Sequence, residues 1–416
     1  MKSYKLWQNA QKKPDDPCAS SPIEIQLPDY WNIEFHTTPG DSYAPLGEKD
    51  TEAAVQNPID LPALREFANG GKEVCIVFDD LSRPTPTAMM ARVVLRELHS
   101  LGYTKDHIRF VCALGSHGAM SRDQMALKIG DDVLENYRVF NHNAFYHHTC
   151  IGKDYSGKDV YLNKQLLDCD VRIGLGSVCP HPMNGYGGGG KLLLPGMASI
   201  DTILSNHTRP GLAPMGEKHT CRMRQEIDDI TSRIEPFFSI QAVMNSKLDM
   251  IGVFAGTLVG ARNKAMELSS VANCLTKKAN ERKDVVIVNA NAKTNETNTV
   301  MNLVGHVLKK GGDIVIINFN PYGHVIHYLS GPFGTSNTPL RPDWPERPKA
   351  NWGRLIFYTP YPEASIKYNF QNPEKVVFSR TWNGVLDLLS NRGAGTEVSV
   401  MCEGTNTYFP LTNREV

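Results

Sequence analysis

Three runs of the chain, 73–78 (EVCIVF), 108–114 (IRFVCAL) and 171–175 (VRIGL), are apolar almost without interruption. A strand with two apolar faces has to be covered on both, as in a parallel sheet enclosed by helices. Between the first two runs, Thr85 and Pro86 open a helical pattern over 88–101 that Gly102 ends, and Ser121 to Gln124 reads as a capping box. The order is strand, helix, strand. Four more runs, 284–288 (DVVIV), 313–317 (DIVII), 355–358 (LIFY) and 375–378 (KVVF), come with helical patterns over 297–308 and 382–389. The segments 237–243 and 250–254 flank Asn245-Ser246-Lys247 as a hairpin. The charged stretch 275–283 has no strand pattern and divides the chain. The expected fold is therefore α/β, two α/β domains with mainly parallel sheets and an active-site cleft between them. The first, 1–275, carries the chemical motifs, and the second, 284–416, closes the cleft. Five prolines across 331–352 mark a long loop, either a lid near the cleft or a surface excursion.

Composition narrows the function. A chain of 416 residues is long enough to bury its cores without disulfide or metal staples. Basic and acidic side chains balance at 44 each, so the cationic surplus that nucleic-acid binding needs is missing. No apolar stretch approaches the ~20 residues of a membrane span, and the lysine-dotted start lacks the apolar core of a signal peptide. A cytoplasmic protein with neither membrane nor nucleic-acid partner is expected. The 9 cysteines, scattered and without a C-x-x-C pair, agree with a reducing compartment.

In parallel α/β sheets ligands bind beyond the carboxyl ends of the strands. After 73–78 comes Asp79-Asp80-Leu81-Ser82-Arg83-Pro84-Thr85-Pro86. There Arg83 could grip a carboxylate or phosphate with paired hydrogen bonds, and a helix start adds backbone donors. A capped turn with an exposed Asp–Arg pair is the plainer reading. After 108–114 comes Gly115-Ser116-His117-Gly118, where small neighbours let the ring face a pocket. His142, His147 and His148 match no standard ligand spacing and are expected to be structural. The third strand end runs through Cys179-Pro180-His181-Pro182 to four glycines, 187–190, and Lys191. Such a ribbon frees backbone N–H groups for close approach to an anion. Residues 185–191 match G-x-x-x-x-G-K, but Leu192 stands where a P-loop has Ser or Thr, and Pro195-Gly196 replaces a long helix. A further helical pattern, 199–206, ends at His207, which is either a cap on the last carbonyls or a metal ligand.

Taken in order, Asp80 to Pro86, Gly115-Ser116-His117, the glycine loop from His181 to Lys191 with Pro195-Gly196, and Asn206-His207 closely resemble the nickel-pincer-nucleotide-dependent lactate racemase family. The resemblance spans nearly the whole chain. It implies an isomerase, a racemase or epimerase of a 2-hydroxy acid. It implies a nickel ion held in a pyridinium-3,5-bisthiocarboxylic acid mononucleotide that is joined covalently to Lys191, with His207 completing the nickel coordination. His117, His181 and Arg83 map to catalytic positions, and Asp80, Arg83, Thr85, Gly188, Gly189 and Gly190 to cofactor-binding ones. The implied partners are a small hydroxy acid and the proteins that make the cofactor and insert nickel.

The residue types suit that chemistry. The hydrogen on the carbinol carbon of a 2-hydroxy acid is too weakly acidic for histidine to take as a proton, whereas an electron-poor ring can take it as hydride. The hydroxyl proton leaves at the same time, and an imidazole can accept and return it. Where lactate-specific members carry a Gln and a Lys for the substrate carboxylate, 289–298 is rich in amides with Lys293 its sole base. That departure suggests a larger or polyhydroxylated substrate, such as a sugar acid, with Lys293, Asn295 and His327 as candidate contacts. The alternative is a non-catalytic binding protein for an anionic small molecule or nucleotide on the same fold. A zinc hydrolase fits less well, because no H-x-x-x-H spacing is present.

Overall fold

The computed structural model describes residues 1–9, 20–207, 211–276, 282–329, 351–370 and 372–410. Two six-stranded sheets organise them. In the first, the order is Met250–Gly256, Phe238–Met244, Val171–Ser177, Val74–Asp79, Ile108–Ala113, Arg138–Asn141. Only Met250–Gly256 runs antiparallel to its neighbour, as the hairpin pattern required. In the second, Val376–Ser379, Leu355–Tyr358, Leu308–Ile317, Lys283–Asn289, Glu397–Met401 and Asn32–His36 are all parallel.

The apolar runs are buried on both faces. Ile76 and Phe78 pack on one side with the helix Thr87–Ser100, while Cys75 and Val77 pack on the other with Leu192, Leu193, Leu194 and Ile227. The three leucines after Lys191 thus belong to the core under the sheet. Burying each is worth on the order of 1.5–3 kcal/mol, and together they anchor the loop that carries Lys191.

In both sheets the chain builds outward in one direction and then returns to the other side of its first strand. The reversal lies between Val74–Asp79 and Val171–Ser177 in the first sheet, and between Lys283–Asn289 and Glu397–Met401 in the second. Such switch points leave a crevice beyond the strand ends where ligands bind. The loops leaving the two crevices touch each other. The Gly118 and Tyr328 backbone N–H groups donate to the carbonyls of Ile326 and Ser116, each at 2.8 Å.

The N-terminal segment differs from expectation. Asn32–His36 pairs with Glu397–Met401, and Leu6, Ile25, Leu27 and Trp31 pack under the second sheet with Val285, Ile287 and Val400. The first unit therefore does not start at residue 1, because its opening strands complete an edge and a face of the other sheet. On this pairing we propose that the first α/β unit begins after His36. The proline-rich 331–352 loop lies mostly outside the described residues. No helix among the described residues is long and apolar enough to cross a membrane.

Candidate active site

The first sheet's crevice opens into a cleft of about 870 Å³, part of it open to solvent. Asp80, Arg83, His117, His181, Gly188, Lys191, His207 and His327 of the sequence-derived set all lie on its wall.

The turn after Asp79 is fixed from beneath. Lys128 Nζ lies 2.6 Å from Asp79 Oδ1 and donates to the Arg83 and Thr85 carbonyls. Thr85 Oγ1 donates to Asp79 Oδ2 and meets Ser177 Oγ at 2.8 Å. Thr85 is buried away from the cleft wall. Its hydroxyl is engaged with the two strand ends and braces the turn that carries Arg83.

His117 is held between carboxylates. Its Nδ1 meets Asp80 Oδ2 at 2.7 Å and its Nε2 lies 3.4 Å from Glu296 Oε1. Burial works against the imidazolium, but Asp80 and then Glu296 outweigh it and raise the ring to about 9. Asp80 is itself opposed by burial, yet His117 and Arg83 keep it below the usual carboxylate range. Arg83 Nη1 donates to Glu296 Oε2 at 2.7 Å. Glu296 reaches the site from the loop after Lys283–Asn289, so this contact joins the two sheets across the cleft. Sequence reading passed over Glu296, which carried no local signal among its polar neighbours.

His181 has the opposite character. Its Nδ1 accepts the Met183 backbone N–H at 3.2 Å, which places the proton of the neutral ring on Nε2, 3.0 Å from Lys191 Nζ. Burial and the positive charges of Lys191, Lys293 and Arg83 hold it well below the ordinary histidine range. Burial and Arg83, Arg224 and Lys293 likewise bring Lys191 down to about 7. An amine that is largely neutral near physiological pH is a nucleophile able to form an amide-type bond. His327 stacks obliquely on His117, with ring centroids 5.1 Å apart, and burial and the His117 charge lower it to about 4.

The glycine ribbon divides into two parts. Gly187 and Gly188 line the cleft, and a Cβ on Gly187 would meet nothing nearer than 3.7 Å. Gly189 and Gly190, expected to lie against a cofactor, instead face the helices behind. A Cβ on Gly189 would come within 2.6 Å of the Leu258 carbonyl oxygen, and one on Gly190 within 2.7 Å of Thr231 Oγ1. Their lack of a side chain permits close helix packing. Arg224, 1% exposed, clamps the ribbon by donating to the Gly188 carbonyl at 3.0 Å while paired with Asp228. Gln241 accepts the Gly189 N–H at 3.0 Å.

The amide-rich loop is also mostly structural. Asn289 bonds to the Trp7 and Cys402 carbonyls, and Asn291 to the Ser246 carbonyl and the Asn9 N–H. Asn295 does not line the cleft. Asn289 and Asn291 therefore brace the loop, and the inference from an amide-lined pocket to an unusual substrate does not stand on them. The fully buried carboxylate of Glu403 accepts the Ala292 and Thr405 N–H groups and fixes the same loop. Lys293 is 2% exposed, and its ammonium has no hydrogen-bonded partner among the described residues. It stands outside the residues on the cleft wall, close enough in charge to depress both His181 and Lys191.

His207 ends the helix Ile200–His207, whose first turn Ser199 caps by accepting the Thr202 N–H. No group of three His, Cys, Asp or Glu among the described residues is placed to hold a metal ion. One cleft-facing histidine beside a reactive amine is the donor set for a metal that arrives with ligands of its own, and the residues present fit a lysine-joined pincer group. His142 is structural as expected, with Nε2 at 2.9 Å from the Ala198 carbonyl and Nδ1 at 3.0 Å from Asn163.

A family model described as the lactate racemase N-terminal domain matches residues 19–216, the stretch that supplies every cleft residue above except Glu296 and His327. Through these residues the chain is similar to the N-terminal domain of lactate racemases. The lactate racemase of Lactiplantibacillus plantarum is 30% identical over 237 residues, covering 54% of this chain and 56% of that protein. The lactate racemase of Thermoanaerobacterium thermosaccharolyticum is 27% identical over 280 residues, covering 65% of each. The aligned stretches thus span less than two thirds of either relative. The structure of the lactate racemase apoprotein from T. thermosaccharolyticum superposes with a TM-score of 0.70 at 22% identity, covering 94% of this chain and 98% of that one. A Thermotoga maritima protein does so at 0.64 and 18%, covering 88% and 99%. The two-domain, mainly parallel α/β fold is thus shared with that apoprotein over 94% of this chain.

Proposed function

We propose that the protein is a racemase or epimerase of a 2-hydroxy acid that works by reversible hydride transfer with a nickel-pincer nucleotide joined to Lys191. The observation that carries this reading is the meeting of Lys191, His181, His117 and His207 on one cleft wall, with the lysine near neutrality. When bound, the group supplies an electron-poor ring that takes and returns hydride.

The chain's own residues do the rest. Lys191 Nζ is the point of attachment, and its position 3.0 Å from His181 Nε2 puts whatever it carries within reach of that imidazole. His207 is the protein's ligand to the metal. His181, held neutral, accepts the hydroxyl proton at Nε2 in the tautomer that carries its own proton on Nδ1, and His117, held charged by Asp80, can donate one. A charged donor and a neutral acceptor from different strand ends suit inversion, in which a planar ketone gains hydride on either face. Lys293, buried behind the cleft wall, adds positive charge to a site read as taking an acid.

The test is inversion at the carbinol carbon of C2-deuterated hydroxy acids, followed by chiral separation with cofactor-loaded protein, with the label kept in the product because the hydride returns to the same carbon. No inversion of any acid, with tight binding of one of them, would favour the non-catalytic binding protein instead.

A further inference from the structure

Glu296 puts a permanent carboxylate inside a site read as binding an acid. Its backbone is fixed: the Glu296 N–H donates to the Lys293 carbonyl at 3.0 Å, its own carbonyl accepts from Thr299, and the turn Thr297–Val300 follows at once. The loop is braced further by the Lys293 N–H to Thr405 Oγ1 at 3.0 Å and by Asn318 on the Thr294 carbonyl. The carboxylate is therefore part of the wall.

Its position decides what the neighbouring cation can do. Arg83 Nη1 donates to Oε2 at 2.7 Å, so the guanidinium charge is already answered. A second carboxylate on Arg83 would sit against the first, and like charges in a partly buried site repel strongly. Lys293 is a second buried cation whose charge also acts on Glu296. A carboxylate has about four lone-pair sites, and Arg83 and His117 occupy only part of that capacity. What remains is an acceptor surface facing the cleft, matched by hydroxyl hydrogens and mismatched by a methyl group.

We propose that Glu296 determines specificity by accepting hydrogen bonds from hydroxyl groups beyond the reacting carbon, so that the site takes polyhydroxylated 2-hydroxy acids in preference to lactate. The proposal rests on the reaction read above for this cleft. A site built to bond a substrate hydroxyl penalises the analogue lacking it, because its own polar groups are then buried unpaired.

The experiment compares a five- or six-carbon aldonate with lactate on the full chain, by calorimetric binding to the purified protein and, after cofactor loading, by inversion at C2 followed by chiral separation. Wild type is expected to bind the aldonate at least about tenfold more tightly. Glu296→Gln, nearly isosteric, is expected to lose most of that margin between the two acids, on top of whatever the lost Arg83 and His117 contacts do to both, and Glu296→Ala to lose the rest. The thermal midpoint of each variant is measured alongside. Wild type preferring lactate overturns the proposal whatever the variants do, and so does an equal loss for both acids in a folded Glu296→Gln. An aldonate preference that depends on Glu296, with no inversion of any acid, would uphold the specificity and sink the racemase reading. Inversion confined to lactate would do the reverse.

Discussion

Lys191 and His117 lie in one cleft and are driven in opposite directions, the amine toward neutrality and the imidazole toward charge. For Lys191 the folded value of about 7 lies under the ordinary 10.5. Between those values the unfolded chain keeps a proton that the folded chain has released, so stability rises with pH across that window. Replacing Lys191 by Met should flatten the rise, read as urea midpoints at about pH 7 and about pH 10; an unchanged slope would show an ordinary lysine. His117 has the other sign. Raised from 6.5 to about 9, it contributes stability that is complete below the lower value and lost as pH climbs through the upper one. Asp80→Asn removes the nearer carboxylate and should lower the His117 titration, followed by NMR of the ring, by about 1–3 units. A midpoint still near 9 would mean that Asp80 does not set it.

Among the elements, the glycine ribbon makes the sharpest contrast. Gly189 has φ +57° and a carbonyl 2.6 Å from where a Cβ would go, so Gly189→Ala adds backbone strain to a clash. It should cost roughly 2–4 kcal/mol in urea unfolding. Gly187→Ala meets only space on the cleft side and should leave stability within about 0.5 kcal/mol while hindering whatever occupies the cleft. Equal stability losses would place both glycines in the packing.

The strands and the turns after them were legible in the sequence because a doubly buried strand has to be an apolar run and its carboxyl end has to be polar. The strands Val74–Asp79, Ile108–Ala113 and Val171–Ser177 lie within two residues of where the pattern put them. The destination of Asn32–His36 was not legible, since its partner Glu397–Met401 lies hundreds of residues away and local patterning carries no pairing information. Glu296 and Arg224 escaped for a related reason. Each is an ordinary charged residue in a polar stretch, and only the fold reveals that one faces Arg83 and the other is buried under Gly188. The reverse error occurred at Gly189, Gly190, Asn289 and Asn291, where residue types that suit ligands serve packing and bracing instead.

At the scale of the whole molecule, two sheets of the same winding set their switch points against each other. Lys191, His117, His181 and His207 come from the side of the first sheet, and Glu296 and His327 reach across from the second. The first set explains how one group could be held and served. The second explains how different acids could be chosen without altering that machinery.

Attachment at Lys191 is what makes the cleft an enzyme site in this account. The most direct measurement is intact mass and nickel content of the full chain produced together with the cofactor-synthesis proteins, for wild type, Lys191→Ala and His207→Ala. The account predicts one covalent adduct and bound nickel in wild type, neither in Lys191→Ala, and the adduct with diminished nickel in His207→Ala. An unmodified wild-type mass under those conditions, or an adduct that survives in Lys191→Ala, would contradict it.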